Sequence, residues 1–308
     1  MPARSVYLAA AAAGLAAGYS IISEYPTAVI AAGLGLYLLA VARSRWRTAA
    51  AFVAGTVPSG LLLLGYNLVA FGRPFATGYD YVHSDAYHVH VSTGPLGFAN
   101  PFAYAIQAPT LDSIWQITLG AYRGIFVVTP VLLLFFVGAF YMWQRRDLRP
   151  EWWLCVAVVL VYFLIDAARG PDTNGWSGGS SVASRHLVPM LPFMMVPMIF
   201  GLRNQTFRIA FIVLGAISIA LMFMTVSSTY LFPYTDKNPV MNEVLPNFFS
   251  GQVIPNWVYI WRDVTHLTGF AALLPFFAVA GLLTARIVWL LWDRQSVMAP
   301  LTAEGEVR

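Results

Sequence analysis

The segment 176–186, WSGGSSVASRH, combines paired glycines with two side chains that bind anions well. Paired glycines let backbone N–H groups approach an anion closely. Arg185 and His186 then open an apolar run, where the N-terminus of a helix would favour a phosphate. We therefore predict that Arg185 and His186 contact a phosphate group. A tight turn that re-enters an apolar helix is the alternative interpretation.

A second candidate cation, Arg123, stands in the sequence Tyr122-Arg123-Gly124 just before another apolar run. A guanidinium at the surface of a membrane can hold a phosphate through two parallel hydrogen bonds. We predict this role for Arg123, with simple anchoring in the headgroup region as the alternative.

Candidate carboxylates and imidazoles lie in the segments between apolar runs. Glu24 precedes Tyr25-Pro26 in a short hairpin, where a carboxylate could orient a substrate; stabilisation of a helix N-terminus explains it equally well. His83, His88 and His90 lie near Asp80 and Asp85, which leaves a divalent metal site open, although a solvated loop is favoured because the spacing fits no standard zinc pattern. No cofactor is expected.

Composition identifies the elements that must position these residues. Of 308 residues, 58% are hydrophobic and 10% are charged, whereas soluble domains average about 25% charged residues. Apolar runs of about 17–25 residues match the thickness of a bilayer. We predict an all-α, polytopic membrane protein with about eight spans. The spans are 6–22, 27–42, 49–71, 124–143, 152–165, 187–202, 209–232 and 267–286.

The basic residues alternate between the segments that separate these spans. Twelve of the 18 Lys and Arg residues fall on one side, together with both termini, while nine of the 14 carboxylates and all five histidines fall on the other. Cytoplasmic segments are enriched in Lys and Arg, so both termini are predicted to be cytoplasmic. The positive net charge then follows from topology and gives no reason to expect nucleic acid as a partner.

The chain is predicted to form one transmembrane domain over 1–293, with a disordered cytoplasmic tail over 294–308. Long outer loops are expected at 72–123, 166–186 and 233–266. Within the first of these, the sequence DSIWQITLGA (112–121) predicts a short amphipathic helix. No predicted span has a charged residue near its middle, which disfavours an ion-coupled transporter.

Several stretches together resemble membrane glycosyltransferases of the GT-C type, in particular glycosyltransferase family 39 and the relatives of dolichyl-phosphate-mannose–protein mannosyltransferases. The matching stretches are 14–29 (GLAAGYSIISEYPTAV), 66–81 (YNLVAFGRPFATGYDY), 94–101 (GPLGFANP), 122–133 (YRGIFVVTPVLL) and 176–193 (WSGGSSVASRHLVPMLPF). The resemblance covers roughly residues 14–200. It depends on the order of these stretches and on their predicted positions at outer membrane edges.

The resemblance implies transfer of a sugar from a polyprenyl-phosphate donor to a protein, lipid or glycan acceptor, at the extracytoplasmic face of the cytoplasmic membrane. Arg123, Arg185 and His186 would then hold the carrier phosphate. Glu24, Asp80, Asp172 and Trp176 would shape the acceptor and sugar side.

This sequence departs from the family in one important respect. The family's first acidic outer loop, which carries the catalytic aspartate, has no counterpart here, so the chain is expected to correspond to a C-terminal portion and no catalytic residue is assigned. Whether the chain itself is an enzyme stays open. The alternatives are a non-catalytic membrane subunit that binds the lipid carrier in envelope glycan assembly and, less favoured, a transporter or flippase.

Overall fold

The computed structural model describes residues 3–76, 108–169, 178, 181–228, 236–252, 267 and 269–303. Two compact units are present, one of residues 1–222 and 231–238 and the other of residues 223–230 and 239–308. All regular structure in the described residues is helical. This confirms the predicted all-α class.

Among the described residues, the first unit contains eight α-helices and the greater part of a ninth. They are α1 (Ala3–Ser23), α2 (Ala28–Val41), α3 (Arg45–Phe71), α4 (Leu111–Thr118), α5 (Ile125–Val128), α6 (Leu134–Trp143), α7 (Arg149–Ala167), α8 (Leu191–Gly201) and α9 (Gln205–Ser228), which continues into the second unit. Short 3-10 helices at Tyr25–Thr27, Pro130–Leu133, Arg146–Leu148 and Arg185–Met190 lead into α2, α6, α7 and α8.

The second unit contains the end of α9, a π-helical turn at Val240–Val244, α10 (Leu245–Phe249), a 3-10 turn at Gly269–Leu273 and α11 (Leu274–Ala303). Its aromatic rings pack around Phe223, whose ring centroid lies 6.1 Å from that of Phe248 and 5.3 Å from that of Phe277. The last helix continues to Ala303, within the segment 294–308 that the sequence predicted to be disordered.

Each of the eight predicted spans overlaps an apolar helical segment. Within the described residues, five of these segments are long and apolar enough to cross a membrane: Arg4–Ser23, Arg45–Phe71, Arg146–Ala167, Gln205–Ser228 and Gly269–Leu290. The other three, Tyr25–Val41, Pro130–Trp143 and Arg185–Gly201, are shorter. Large apolar side chains remain exposed along these helices, as lipid contact requires. The structure is thus compatible with an integral membrane protein, and the count of eight spans stays a prediction.

Glycines set the close approach of α1 and α3. A Cβ atom added to Gly14 would collide with the carbonyl oxygen of Phe52, and one added to Gly55 would collide with that of Ala11. A Cβ atom on Gly18 would lie 2.9 Å from the Cα atom of Thr56. Gly14 and Gly18 form the small-xxx-small spacing that lets helix backbones meet in a membrane, where van der Waals packing drives association.

The main core lies where α6, α7 and α8 meet. Met190, Met194 and Met198, spaced four residues apart, are almost completely buried on one side of the Arg185–Gly201 segment. A Cβ atom on Gly138 of α6 would lie 2.6 Å from the Cα atom of Met198, so α6 and α8 pack almost backbone to backbone. The indole of Trp152 at the start of α7 donates a hydrogen bond to the Ala139 carbonyl at 2.8 Å, which joins α7 to α6.

The predicted amphipathic helix at 112–121 is present as α4. The Thr110 side chain accepts a hydrogen bond from the Ser113 backbone N–H at 3.0 Å, and the Ser113 hydroxyl accepts one from the Thr110 N–H at 3.1 Å. This reciprocal capping satisfies donors that a helix start leaves without partners. The Ser113 hydroxyl also donates to the Ala167 carbonyl at 2.8 Å, and this bond ties α4 to the C-terminal end of α7.

Candidate functional site

Three chain segments that are distant in sequence meet at one end of the first unit. They are the hairpin between α1 and α2, the C-terminal end of α7, and the 3-10 helix Arg185–Met190 that leads into α8. The carboxyl group of Glu24 lies on the first segment. The carboxyl group of Asp166 and the guanidinium of Arg169 lie on or next to the second, and the side chains of Arg185 and His186 belong to the third. We call the cluster formed by Glu24, Asp166, Arg169, Arg185 and His186 the polar cluster.

Local structure places Glu24 at the turn of the hairpin. Its backbone is extended (φ −151°) and caps the 3-10 helix Tyr25–Thr27, in which Pro26 occupies an early position. The Thr27 hydroxyl donates to the Glu24 carbonyl at 2.9 Å. Glu24 therefore stands at the start of a helix, the position that the alternative interpretation of this residue predicted. Its side chain, however, makes no capping hydrogen bond. The carboxylate is directed elsewhere.

That carboxylate faces His186. The Oε1 atom of Glu24 lies 3.4 Å from Nδ1 of His186, with 43% of the Glu24 side chain and 16% of the His186 side chain exposed. This distance exceeds that of a well-formed hydrogen bond, so the contact is mainly electrostatic. The neighbouring imidazole lowers the pKa of Glu24 below its usual value, and the positive charges of Arg169 and Arg185 act in the same direction.

The sequence reasoning did not select Asp166, which is the most deeply buried carboxylate of the cluster. Its side chain is 1% exposed, and its Oδ1 atom lies 4.0 Å from Nε of Arg169. Neither carboxylate oxygen accepts a hydrogen bond from the described residues, and the buried hydroxyl of Ser184 nearby has no such partner either. Burying polar groups in this way is costly, and the Ser184 hydroxyl is near enough to the Asp166 carboxylate to offset part of that cost.

A signal for Asp166 was present in the sequence. It is the first charged residue after the apolar run 152–165, and Arg169 follows three residues later, the spacing at which helical side chains meet. Both residues fall within the predicted outer loop 166–186. The structure places Asp166 on the last turn of α7 instead, with its side chain directed into protein.

Gly178 supports the cluster from the segment that precedes it. Its φ angle is +72°, a conformation that favours glycine, and an added Cβ atom would lie 2.7 Å from the backbone nitrogen of Arg185. The sequence predicted that this glycine lets an anion approach the backbone. In the structure, the absence of a side chain at Gly178 lets the backbone of Ser184 and Arg185 pack closely against it. The Arg185 side chain is exposed at this point, where its guanidinium can meet a ligand.

Arg123 lies in a different environment from the one that the sequence predicted. It is 0% exposed, its guanidinium lies 4.1 Å above the ring of Tyr122, and it donates to the Tyr122 carbonyl at 3.2 Å. Arg123 therefore lies in the protein interior, whereas the sequence predicted a position at the membrane surface.

An aromatic groove lies beside the hairpin that carries Glu24. It has a volume of about 490 Å³ and lies between the ends of α1 and α3. Tyr19, Tyr25, Tyr66 and Phe71 supply its rings, with Leu62 and Leu63 between them. Gly72 (φ +70°) ends α3 just beyond the groove. The groove is thus apolar and adjoins a polar cluster.

The remaining predicted site residues, Asp80, Asp172 and Trp176, lie outside the described residues, as do His83, His88 and His90 of the open metal site. Within the described ranges, no group of three or more His, Cys, Asp or Glu side chains is arranged to hold a metal ion. The comparisons with protein-family models, with curated proteins and with solved structures gave no match.

Proposed function

We propose that this chain is a GT-C-like membrane glycosyltransferase, or the C-terminal portion of one, that transfers a sugar from a polyprenyl-phosphate donor to an extracytoplasmic acceptor. The observation that carries the proposal is the meeting of Glu24, Arg185 and His186 with Asp166 and Arg169. The first three were selected from sequence stretches that resemble this class. Their proximity supports a common role.

In the proposed reaction, the oxygen of an acceptor hydroxyl forms a bond to the anomeric carbon of the sugar. The bond between that carbon and the phosphate oxygen breaks, and the lipid phosphate leaves with the electron pair. A carboxylate takes the proton of the hydroxyl. Arg185, with His186 in its protonated form, would stabilise the negative charge that develops on the departing phosphate. We assign no residue as the base.

The aromatic groove suits the hydrocarbon part of such a donor. It adjoins the hairpin of Glu24, so a chain in the groove would bring its phosphate towards the polar cluster. The proposal also includes eight spans with both termini in the cytoplasm. That topology would place the polar cluster at the outer face of the cytoplasmic membrane.

Labelled polyprenyl-phosphate sugar, incubated with membranes that contain the chain, tests this function. Arg185→Ala should reduce transfer by about tenfold or more, since a hydrogen bond to a charged group contributes roughly 1.5–3 kcal/mol. Arg43→Ala, which removes an exposed arginine between α2 and α3, is the matched control and should leave transfer unchanged. Equal transfer by the two variants would remove Arg185 from the site.

One observation favours a second candidate, a non-catalytic subunit that binds the lipid carrier. Of the two carboxylates in the polar cluster, Asp166 is enclosed by protein and Glu24 is engaged with His186. Neither is presented as a free base. This candidate predicts that polyprenyl phosphate binds in an Arg185-dependent manner while no labelled sugar reaches an acceptor.

A further inference from the structure

A second concave site lies at the other end of the helix bundle. It is formed where α6 ends and where α8 meets α9, and it has a volume of about 370 Å³. Its lining residues are Tyr141, Gln144, Arg145, Phe200, Arg203 and Asn204. We call this the basic pocket. It contains two arginines and no carboxylate among its lining residues.

The basic pocket and the polar cluster lie at opposite ends of the same helices. Arg145 precedes α7 and Asp166 lies on its last turn; His186 precedes α8 and Phe200 lies on its last turn. The 19 residues of α7 give a rise of about 28 Å, close to the hydrocarbon thickness of a bilayer. The basic pocket is thus placed to reach the opposite membrane surface.

The donors in the basic pocket are only partly used. Arg145 engages Asp147 through its Nε and Nη2 atoms, at 3.2 and 3.1 Å, which leaves further N–H groups. Arg203 is exposed and makes no hydrogen bond or ion pair with the part of the chain that the structure describes. The Oδ1 atom of Asn204 accepts the Phe207 N–H at 3.1 Å, so its amide NH₂ group remains a donor.

The other components of the pocket suit a lipid. The Tyr141 and Phe200 side chains provide an apolar wall, and α9 begins at Gln205, so the positive end of a long helix adjoins the pocket. The C-terminal ends of α6 and α8 also lie at the pocket, and their carbonyl groups carry a partial negative charge. This charge offsets the partial positive charge at the start of α9, so the arginines are the main attraction for an anion. Three further arginines lie close in sequence to the lining residues: Arg146, Arg149 and Arg208.

We propose that the basic pocket binds the phosphate of an anionic phospholipid headgroup. Basic pockets between membrane helices bind such headgroups because the cytoplasmic leaflet concentrates anionic lipid beside them. Arg203 and the unused donors of Arg145 contact the phosphate, Asn204 adds a neutral donor, and the two rings contact the start of the acyl chain. This inference shares the topology of the proposed function, with the pocket at the cytoplasmic leaflet, but does not depend on glycosyl transfer.

The test uses the full 308-residue chain in phosphatidylcholine nanodiscs with a fluorescent phosphatidylglycerol. Energy transfer from the tryptophans near the pocket, Trp143, Trp152 and Trp153, reports binding. Unlabelled phosphatidylglycerol should displace the probe, while phosphatidylcholine should not. Arg203→Gln should weaken binding about fivefold, the effect of about 1 kcal/mol per arginine near an anionic surface.

Two matched variants make the result specific. Arg43→Gln removes the same charge from an exposed residue outside the pocket and should change binding by less than about twofold. Asp147→Asn should tighten binding because it releases two donors of Arg145. Each variant alters an exposed side chain, so circular dichroism should show unchanged helix content.

Three results would overturn the proposal. If Arg43→Gln weakened binding as much as Arg203→Gln, only the general surface charge would be acting. Displacement of the probe by phosphatidylcholine would mean that the pocket selects the acyl chain. Displacement by millimolar inorganic phosphate, with the same dependence on Arg203, would identify a soluble phosphate as the ligand in place of a lipid.

Discussion

The contact between α1 and α3 depends on the absence of a side chain at Gly55. A Cβ atom there would lie 2.8 Å from the carbonyl carbon of Ala11 and 3.0 Å from its Cα atom, and would overlap the carbonyl oxygen. Ordinary carbon–oxygen contacts are about 3.3–3.6 Å. Because all of these neighbours are backbone atoms, Gly55→Ala must push the helices apart by roughly 1 Å, a gap that forfeits a quarter to a half of the dispersion energy of each contact.

The magnitude follows from two opposing effects. Overpacking a close contact costs about 1–3 kcal/mol, whereas replacing glycine with alanine inside a helix gains up to about 1 kcal/mol. Gly60 lies on the same helix and has no atom within 4 Å of its added Cβ, so Gly60→Ala experiences the gain alone. The two variants should therefore differ in free energy of unfolding by about 1–3 kcal/mol, with Gly55→Ala the less stable.

The assay is reversible unfolding of the purified chain in mixed micelles, with increasing dodecyl sulfate and helix content followed by circular dichroism. Gly14→Ala should behave like Gly55→Ala, because its Cβ atom would collide with the Phe52 carbonyl from the other helix. If Gly55→Ala proved as stable as Gly60→Ala, α1 and α3 would not be packed as described.

Three further predictions concern polar contacts. The pKa of Glu24 is lowered in the folded state, chiefly by His186. The pair therefore stabilises the protein above the usual pKa of the carboxyl group, and this stability is lost as the pH falls through the lowered value. Glu24→Gln should remove this pH dependence from the free energy of unfolding measured between pH 3 and 6. Arg169→Gln should destabilise by about 1–3 kcal/mol because Asp166 loses its nearest cation, and adding Asp166→Asn should recover most of that loss in a double-mutant cycle. Tyr37→Phe should cost about 1–3 kcal/mol, because the Tyr37 hydroxyl donates to a part-buried Glu151 at 2.6 Å, while Tyr19→Phe, at an exposed position, should change thermal stability little.

The sequence was sufficient to predict the helices because lipid imposes a simple rule. A segment must be apolar for most of its length, and each of the eight predicted segments does overlap an apolar helical segment. Their lengths were harder to predict, since proline and glycine accompany 3-10 turns in or at the start of four segments. At 130–133, for example, the chain forms a 3-10 helix whose Val131 N–H donates to the Ser218 hydroxyl at 3.1 Å.

The candidate site was only partly predictable, since it depends on which helix ends lie side by side. Glu24 and His186 were both selected, but no pattern in the sequence indicated that they touch. Asp166 was counted as a loop residue because charge normally marks the end of an apolar span. Arg123 was expected at the surface for the same reason, whereas its side chain is buried with the guanidinium over the Tyr122 ring. Pairing between helix ends, which composition does not encode, decided the cases of Glu24, His186 and Asp166.

The pairing of α1 with α3 also imposes an order of assembly during synthesis. The glycine face of α1 is complete once Ser23 has been made, but its partner on α3 ends only at Phe71. A ribosome adds about 5–20 residues per second, so α1 waits roughly 2–10 s before it can dock. In a bilayer, lipid chains would occupy the place of α3 during that interval, and docking would have to expel them from the contact between the two helices.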